Sequence, residues 1–159
     1  MNKTIKQILL TLLILVFGLN VFAADQDDAM KFFNNFVNAS NTYSSSLLGM
    51  YSDDAQIIRQ VIRPDGRLVN VPFDINTYKG QIRLSGKLAK LKKYKNTYSG
   101  VKISKVSNGY KIEASRQPSL GGDKLKSAMI IQKQPSGKWI IVEELMQTRE
   151  QIFLKYAKK

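Results

Sequence analysis

Two glutamates, Glu143 and Glu144, stand side by side in the run KWIIVEELMQ, and two aspartates, Asp53 and Asp54, in MYSDDA. The 159-residue chain has no histidine and no cysteine. That composition removes imidazole acid/base chemistry, thiol nucleophiles, disulfides and the commonest metal ligands. No metal and no other cofactor is expected. The acid/base chemistry that remains is a buried carboxylate taking a proton next to a carbonyl, with a tyrosine or a protonated acid polarising that carbonyl. In an extended run alternate residues share a face, so Glu143 goes with Trp139 and Ile141, and Glu144 with Ile140 and Val142. Glu143 is the candidate base, although alternation alone leaves open which face is the inner one. Tyr43, Tyr51 and Tyr110 are candidate phenol donors and equally candidate core aromatics. Asp53 and Asp54 are adjacent and therefore point apart, which suits a turn and strand-entry cap better than a catalytic pair or a metal site.

The elements that must position these groups can be read along the chain. DQDDAMKFFNNFVNASNTY has acids in its first turn, where the helix dipole favours them, and then Met30, Phe33, Phe36 and Val37 at helical spacing. SSS breaks that helix, and LLGMYSDDAQII reads as a short second helix passing through a YSDDA turn into a strand. AQIIRQVIRPDGRLVNVPF is two β-rich runs around Pro64-Asp65-Gly66, hence a hairpin. VKISKV, YKIEA, SAMIIQK and KWIIVEELMQ, separated by SNG, PSLGGD and PSG, form an antiparallel meander. The fold class is therefore α+β.

Between the hairpin and the meander, Asp74, Asn76 or Thr77 can cap a helix that carries GKLAKLKKYK. At 100° per residue, Tyr78, Ile82, Leu84, Leu88, Ala89 and Leu91 fall on one half, expected to be dry. Lys79, Arg83, Lys87, Lys90 and Lys93 fall on the other, as a solvated basic face. From Ile75 through Ile112 there is no Asp or Glu, so the cations of this stretch, Lys102, Lys105 and Lys111 included, lack a local acidic partner in the sequence. Solvated faces usually mix signs. The expectation that follows is a partner bearing negative charge, an anionic lipid or an envelope polymer.

Residues 1–23 read as a secretory signal peptide: Lys3 and Lys6, then the apolar ILLTLLILVFGLNVF, then a small-residue cleavage site near Ala23. Its removal leaves 136 residues, the size of one domain, and lowers the net charge from +13 to +11. The expected location is periplasmic or secreted, which disfavours nucleic acid as a partner. Residues 149–159 form a basic tail in which Ile152, Phe153 and Tyr156 share one side of a short helix.

The order of helix, short helix, LLGMYSDDAQII, hairpin, helix and meander ending in GKWIIVEELMQT resembles the nuclear transport factor 2-like superfamily, including its SnoaL-like and ketosteroid-isomerase-like branches. MYSDDA is similar to that family's turn into its first strand, and Gly137 to Ile141 to one of its last strands. The resemblance spans most of residues 27–148, within a domain of 24–148. It implies a strongly bent sheet wrapped around the N-terminal helices as a cone, an apolar pocket at the wide end, and frequent homodimerisation through the sheet's outer face. The family includes enzymes, ligand carriers and docking domains, so the fold does not choose among them. The candidate pocket residues are Glu143, if its face is the inner one, with Phe33, Tyr43, Tyr51, Tyr110, Met129 and Trp139. Without histidine, the expectation is a module that holds a small apolar or amphipathic ligand rather than one that transforms it. The alternatives are an isomerase- or dehydratase-like enzyme using Glu143, and a scaffold that docks other envelope proteins.

Overall fold

The structure is a computed structural model and describes residues 25–120 and 122–157. The expected signal peptide and its cleavage site lie outside the described residues. The first helix, α1, covers 25–41. Its residues Ala29, Phe33 and Phe36 are buried at the four- and three-residue spacing that puts them on one stripe, joined by Phe32 and Ala39. The helix stops where Tyr43 takes a left-handed conformation (φ 58°) and the Ser44 N–H donates to the Ala39 carbonyl, a six-to-one closure that satisfies an orphan carbonyl of the last turn. Ser44 then caps a 3-10 helix, Ser45–Met50, by accepting from the Ser46 N–H. This is the short second helix expected from the sequence.

Strand β1 is Tyr51–Ile62. YSDDA is therefore strand and not turn, which corrects the sequence reading. The β1 ladder is nevertheless irregular between Tyr51 and Gln56, and both aspartates face solvent there. The hairpin at Pro64-Asp65-Gly66 forms as expected and leads into β2, Leu68–Phe73. Gly66 supplies the positive φ of 83°, and the Asp65 carboxylate accepts from the Arg67 N–H. Asp74 caps α2, Ile75–Leu91, by accepting from the N–H groups of Asn76 and Thr77.

Strands β3 (Asn96–Val106), β4 (Gly109–Pro118), β5 (Leu125–Lys133) and β6 (Trp139–Thr148) complete one six-stranded sheet in the order β2-β1-β6-β5-β4-β3. Neighbours are antiparallel except β1 and β6, which run parallel. Ladder irregularities in β1, β3 and β6 fall where a sheet must bend, because an extra residue on one strand tightens the local twist. The sheet is bent and unclosed, and its inner face packs on α1 and α2 through Ile57, Val61, Ile112, Met129, Ile131 and Ile141. The chain ends its described part in a second 3-10 helix, Gln151–Tyr156, whose Phe153 and Tyr156 rings lie on Phe73.

The helix α2 departs from the expected orientation. Ile75 and Tyr78 are buried and Ile82 is half-buried, but Leu84, Leu88 and Leu91 are 83%, 54% and 80% exposed. The helix turns only the narrow Ile75–Tyr78–Ile82 edge of its apolar half to the sheet, so the three leucines form an outward crest. Arg83, Lys87 and Lys90 flank that crest on one side by the helical geometry. The absence of acidic neighbours is also local only in sequence. The Lys79 ammonium pairs with Asp53 at 2.8 Å, and Lys111 with Glu113 at 2.8 Å. Arg83, Lys87, Lys90 and Lys93 are exposed and pair with no carboxylate among the described residues.

Candidate functional site

Strand β6 contains one residue more than its partner needs. Ile141 pairs with Ile131 and Glu143 with the adjacent Ile130, so Val142 is a bulge. The insertion breaks the period of two, and residues beyond it change faces relative to simple alternation. Ile141 and Glu144 therefore both face inward, whereas Glu143 and Leu145 line a broad groove of about 820 Å³ on the outer face. The sequence reading that joined Glu143 to Ile141 is corrected by this bulge. The buried carboxylate is Glu144, 1% exposed.

Glu144 sits among three donors from two other elements. Its Oε1 accepts from Arg59 Nη1 at 2.7 Å and from the Tyr78 hydroxyl at 3.2 Å, and its Oε2 from the Tyr51 hydroxyl at 2.5 Å. The two phenol oxygens are 3.3 Å apart, and the Arg59 guanidinium lies 4.7 Å from the centre of the Tyr78 ring. Arg59 reaches this point because it occupies the inward parity of β1 between Ile57 and Val61. Tyr78 reaches it from the first turns of α2, edge-on to Tyr51. Burial pushes the Tyr51 hydroxyl well above its usual range, with Glu144 and Tyr78 adding to the effect. Burial likewise raises Tyr78 to about 12, Arg59 opposing and Glu144 reinforcing. Both phenols are thus protonated donors at neutral pH, and the carboxylate's charge is met by an adjacent cation.

Tyr51, Arg59 and Tyr78 of this cluster form one side of a half-open cavity of about 360 Å³ bounded by the sheet, the end of α1, α2 and the C-terminal 3-10 helix. Phe36, Leu47, Ile82, Met146 and Phe153 supply apolar wall. The other side of the cavity is polar and is built around Arg116 on β4, with Tyr94, Asn96 and the Gln147 carbonyl as its acceptors. Lys93 at φ 49° and a Tyr94 N–H to Ala89 carbonyl bond end α2 as Tyr43 ends α1. The Tyr43 hydroxyl donates to the Tyr94 carbonyl, tying the two helix ends together beside the cavity.

Of the residues singled out from the sequence, Tyr43 and Tyr51 line this cavity. Phe33 is a core residue stacked on Phe36 and edge-on to Tyr98. Met129 is buried opposite Glu144, and Tyr110 is buried edge-on to Trp139. Trp139 lies outside the cavity, with the Lys133 ammonium 5.5 Å from its ring centre. The reading from sequence missed Arg59, Tyr78 and Arg116 as site residues. A usable signal was present: Arg59 shares parity with Ile57 and Val61, and Arg116 with Tyr110, Ile112 and Ala114, so a cation falls on each strand's dry face. No group of three or more His, Cys, Asp or Glu residues able to hold a metal ion is found among the described residues.

No protein-family model and no curated protein matches the chain. Solved structures do match its shape. An NTF2-like protein of unknown function from Pseudomonas putida KT2440 superposes with a TM-score of 0.60 at 10% identity, covering 79% of this chain and 87% of that one. An NTF2-like protein with a cystatin-like fold from Novosphingobium aromaticivorans gives 0.62 at 6% identity, covering 85% and 88%. A protein from Catenulispora acidiphila, solved in complex with S-DNPA, gives 0.53 at 9% identity, covering 79% and 93%. A cone of bent sheet around two helices, arrived at by a sequence that shares so few residues with these structures, gives the chain the nuclear transport factor 2-like fold.

Proposed function

We propose that this protein is an exported binding module whose inner cavity holds a small apolar or amphipathic ligand. One observation carries the reading: the buried carboxylate of Glu144 is held by three donors and is not itself among the residues that line the cavity. Arg59, Tyr51 and Tyr78 donate to both oxygens of Glu144 and line the cavity in its place, which leaves it a poor base, because a base must come within hydrogen-bond reach of the proton it takes. What is left for a ligand is apolar wall with a few fixed donors, the composition of a binding site. The S-DNPA complex of the Catenulispora acidiphila protein supports the same use of this fold. The test is native mass spectrometry of protein isolated gently from its own source, with organic extraction of what it carries. A small organic molecule at one per chain is expected, and a clean apo mass in every preparation would sink the reading.

A second part of the reading rests on α2. The leucine crest Leu84, Leu88 and Leu91, flanked by Arg83, Lys87 and Lys90, has the make-up of a segment that lies on an anionic lipid surface, leucines among the acyl chains and cations at the headgroups. Charge reversal at Lys87, Lys90 and Lys93 is expected to weaken binding to phosphatidylglycerol-containing vesicles, with the wild-type binding itself falling as salt rises. Vesicle affinity that ignores both changes would rule the surface role out.

A further inference from the structure

We infer that the cavity contains an anion subsite at Arg116 and that its ligand is an organic acid carrying one carboxylate. The inference rests on the cavity being a ligand site and names the chemistry of what enters it.

Arg116 is 6% exposed and lines the cavity. Its Nη1 donates to Asn96 Oδ1 at 2.8 Å and to the Tyr94 hydroxyl at 3.4 Å, and its Nη2 to the Gln147 carbonyl at 2.7 Å. All three acceptors are neutral. Its Nε is buried without any acceptor, and no carboxylate among the described residues forms an ion pair with it. A guanidinium has five N–H donors in a rigid fork. Here three bonds fix the plane of the fork; Nε is sealed from the cavity, and the second N–H of Nη2 is the donor left for a ligand. A buried cation without a counter-charge is costly, and the cost is relieved when an anion arrives with its own acceptors.

The sign and number of charges select the ligand. Glu144 already neutralises Arg59 at 2.7 Å, and Glu150, the other carboxylate near the cavity, is exposed and forms no ion pair with Arg116, so Arg116 is the buried cation of the cavity left without a paired carboxylate. One carboxylate balances it, whereas a dianionic phosphate would bring a second buried charge with no partner. Phe36, Leu47, Met146 and Phe153 supply the apolar surface against which the rest of such an acid lies. The carboxylate meets the guanidinium in a charge-assisted hydrogen bond.

The experiment is calorimetric titration of the delipidated mature protein with octanoate, 1-octanol and octylammonium at pH 7.5. The expected result is one site per chain, with octanoate bound about tenfold or more tighter than octanol and octylammonium weakest. In Arg116→Gln, octanoate is expected to fall to the level of octanol while octanol itself changes little. Equal binding of acid and alcohol by the wild type would overturn the anion subsite and leave the cavity reading standing. An acid preference that survives in Arg116→Gln would overturn the assignment to this residue. Absence of all three ligands from the cavity would remove both readings together. The acid-to-alcohol ratio is measured on the native chain, so the inference stays open to refutation even if the variant does not fold.

Discussion

Arg59 and Arg116 face the same cavity from β1 and β4, and both are withdrawn from solvent, at 9% and 6% exposure. Arg59 meets a carboxylate, two phenol hydroxyls complete that carboxylate's shell, and the cluster closes on itself. Arg116 meets an amide oxygen, a phenol and a backbone carbonyl, and keeps its charge. The difference separates two uses of a buried cation. At one end the charge is spent holding β1, β6 and α2 in register, and the chemistry available to a visitor is small. At the other, the side chain is held still by neutral groups and its charge remains available. Rigid placement with unspent charge is what a recognition site needs.

Removing a carboxylate should expose the contrast most sharply. Glu144→Gln leaves Arg59 buried without a counter-charge, and we expect a loss of about 3–5 kcal/mol in denaturant unfolding. The corresponding change on the other side, Arg116→Gln, breaks no ion pair and removes a desolvated charge, which offsets part of its lost hydrogen bonds, so its expected effect is smaller, about 1–2 kcal/mol in the same measurement. Comparable losses in the two variants would mean that the cations are structurally equivalent and that the distinction drawn between them is wrong.

Alkaline titration sharpens the comparison with an intermediate effect. Tyr78 is held to about 12 by burial, against about 10 for an exposed phenol. The folded state therefore prefers the neutral hydroxyl. That stabilisation is complete below pH 10 and disappears as the pH climbs through 12, a change on the order of 2–3 kcal/mol. Tyr51 shifts the same way and steepens the fall. In Tyr78→Phe the slope of stability against pH between 10 and 12 should become shallower, at the expense of about 1 kcal/mol at pH 7 from the lost hydrogen bond. A slope that does not change would place the alkaline transition elsewhere in the molecule.

Much of the framework was legible because local rules govern it. Phe33 and Phe36 mark the dry stripe of α1, Pro64-Asp65-Gly66 has one economical conformation, and Asp74 caps α2 through bonds made within three residues of itself. The meander followed from alternation between turn signals. The site was less legible because its key event is not periodic. Nothing in IIVEEL announces that Val142 is extra, and that single residue decides which of two adjacent glutamates is buried. The orientation of α2 was illegible for another reason. Its apolar half spans about 180° of the wheel, wider than the strip that the sheet can cover, and sequence does not say which part is left uncovered. The pairing of Lys79 with Asp53 joins residues 26 apart, so a stretch empty of acids in sequence need not be empty of acids in space.

The parallel contact between β1 and β6 also sets an order of events in time. Arg59 and Tyr51 lie 85 and 93 residues before the carboxylate they hold. While the chain is being made, the hairpin of β1 and β2 and the whole of α2 exist before their central neighbour does. Until the last strand arrives, Arg59 stays hydrated and one edge of β1 stays open. Closing so long a loop is entropically costly, so folding is expected to be slow, as it is for non-local β topologies in general. Cavity and buried ion pair are therefore complete only once β6 has docked. A chain stopped before Glu144 would lack both at once, and the unpaired β1 edge would be the surface through which it aggregates.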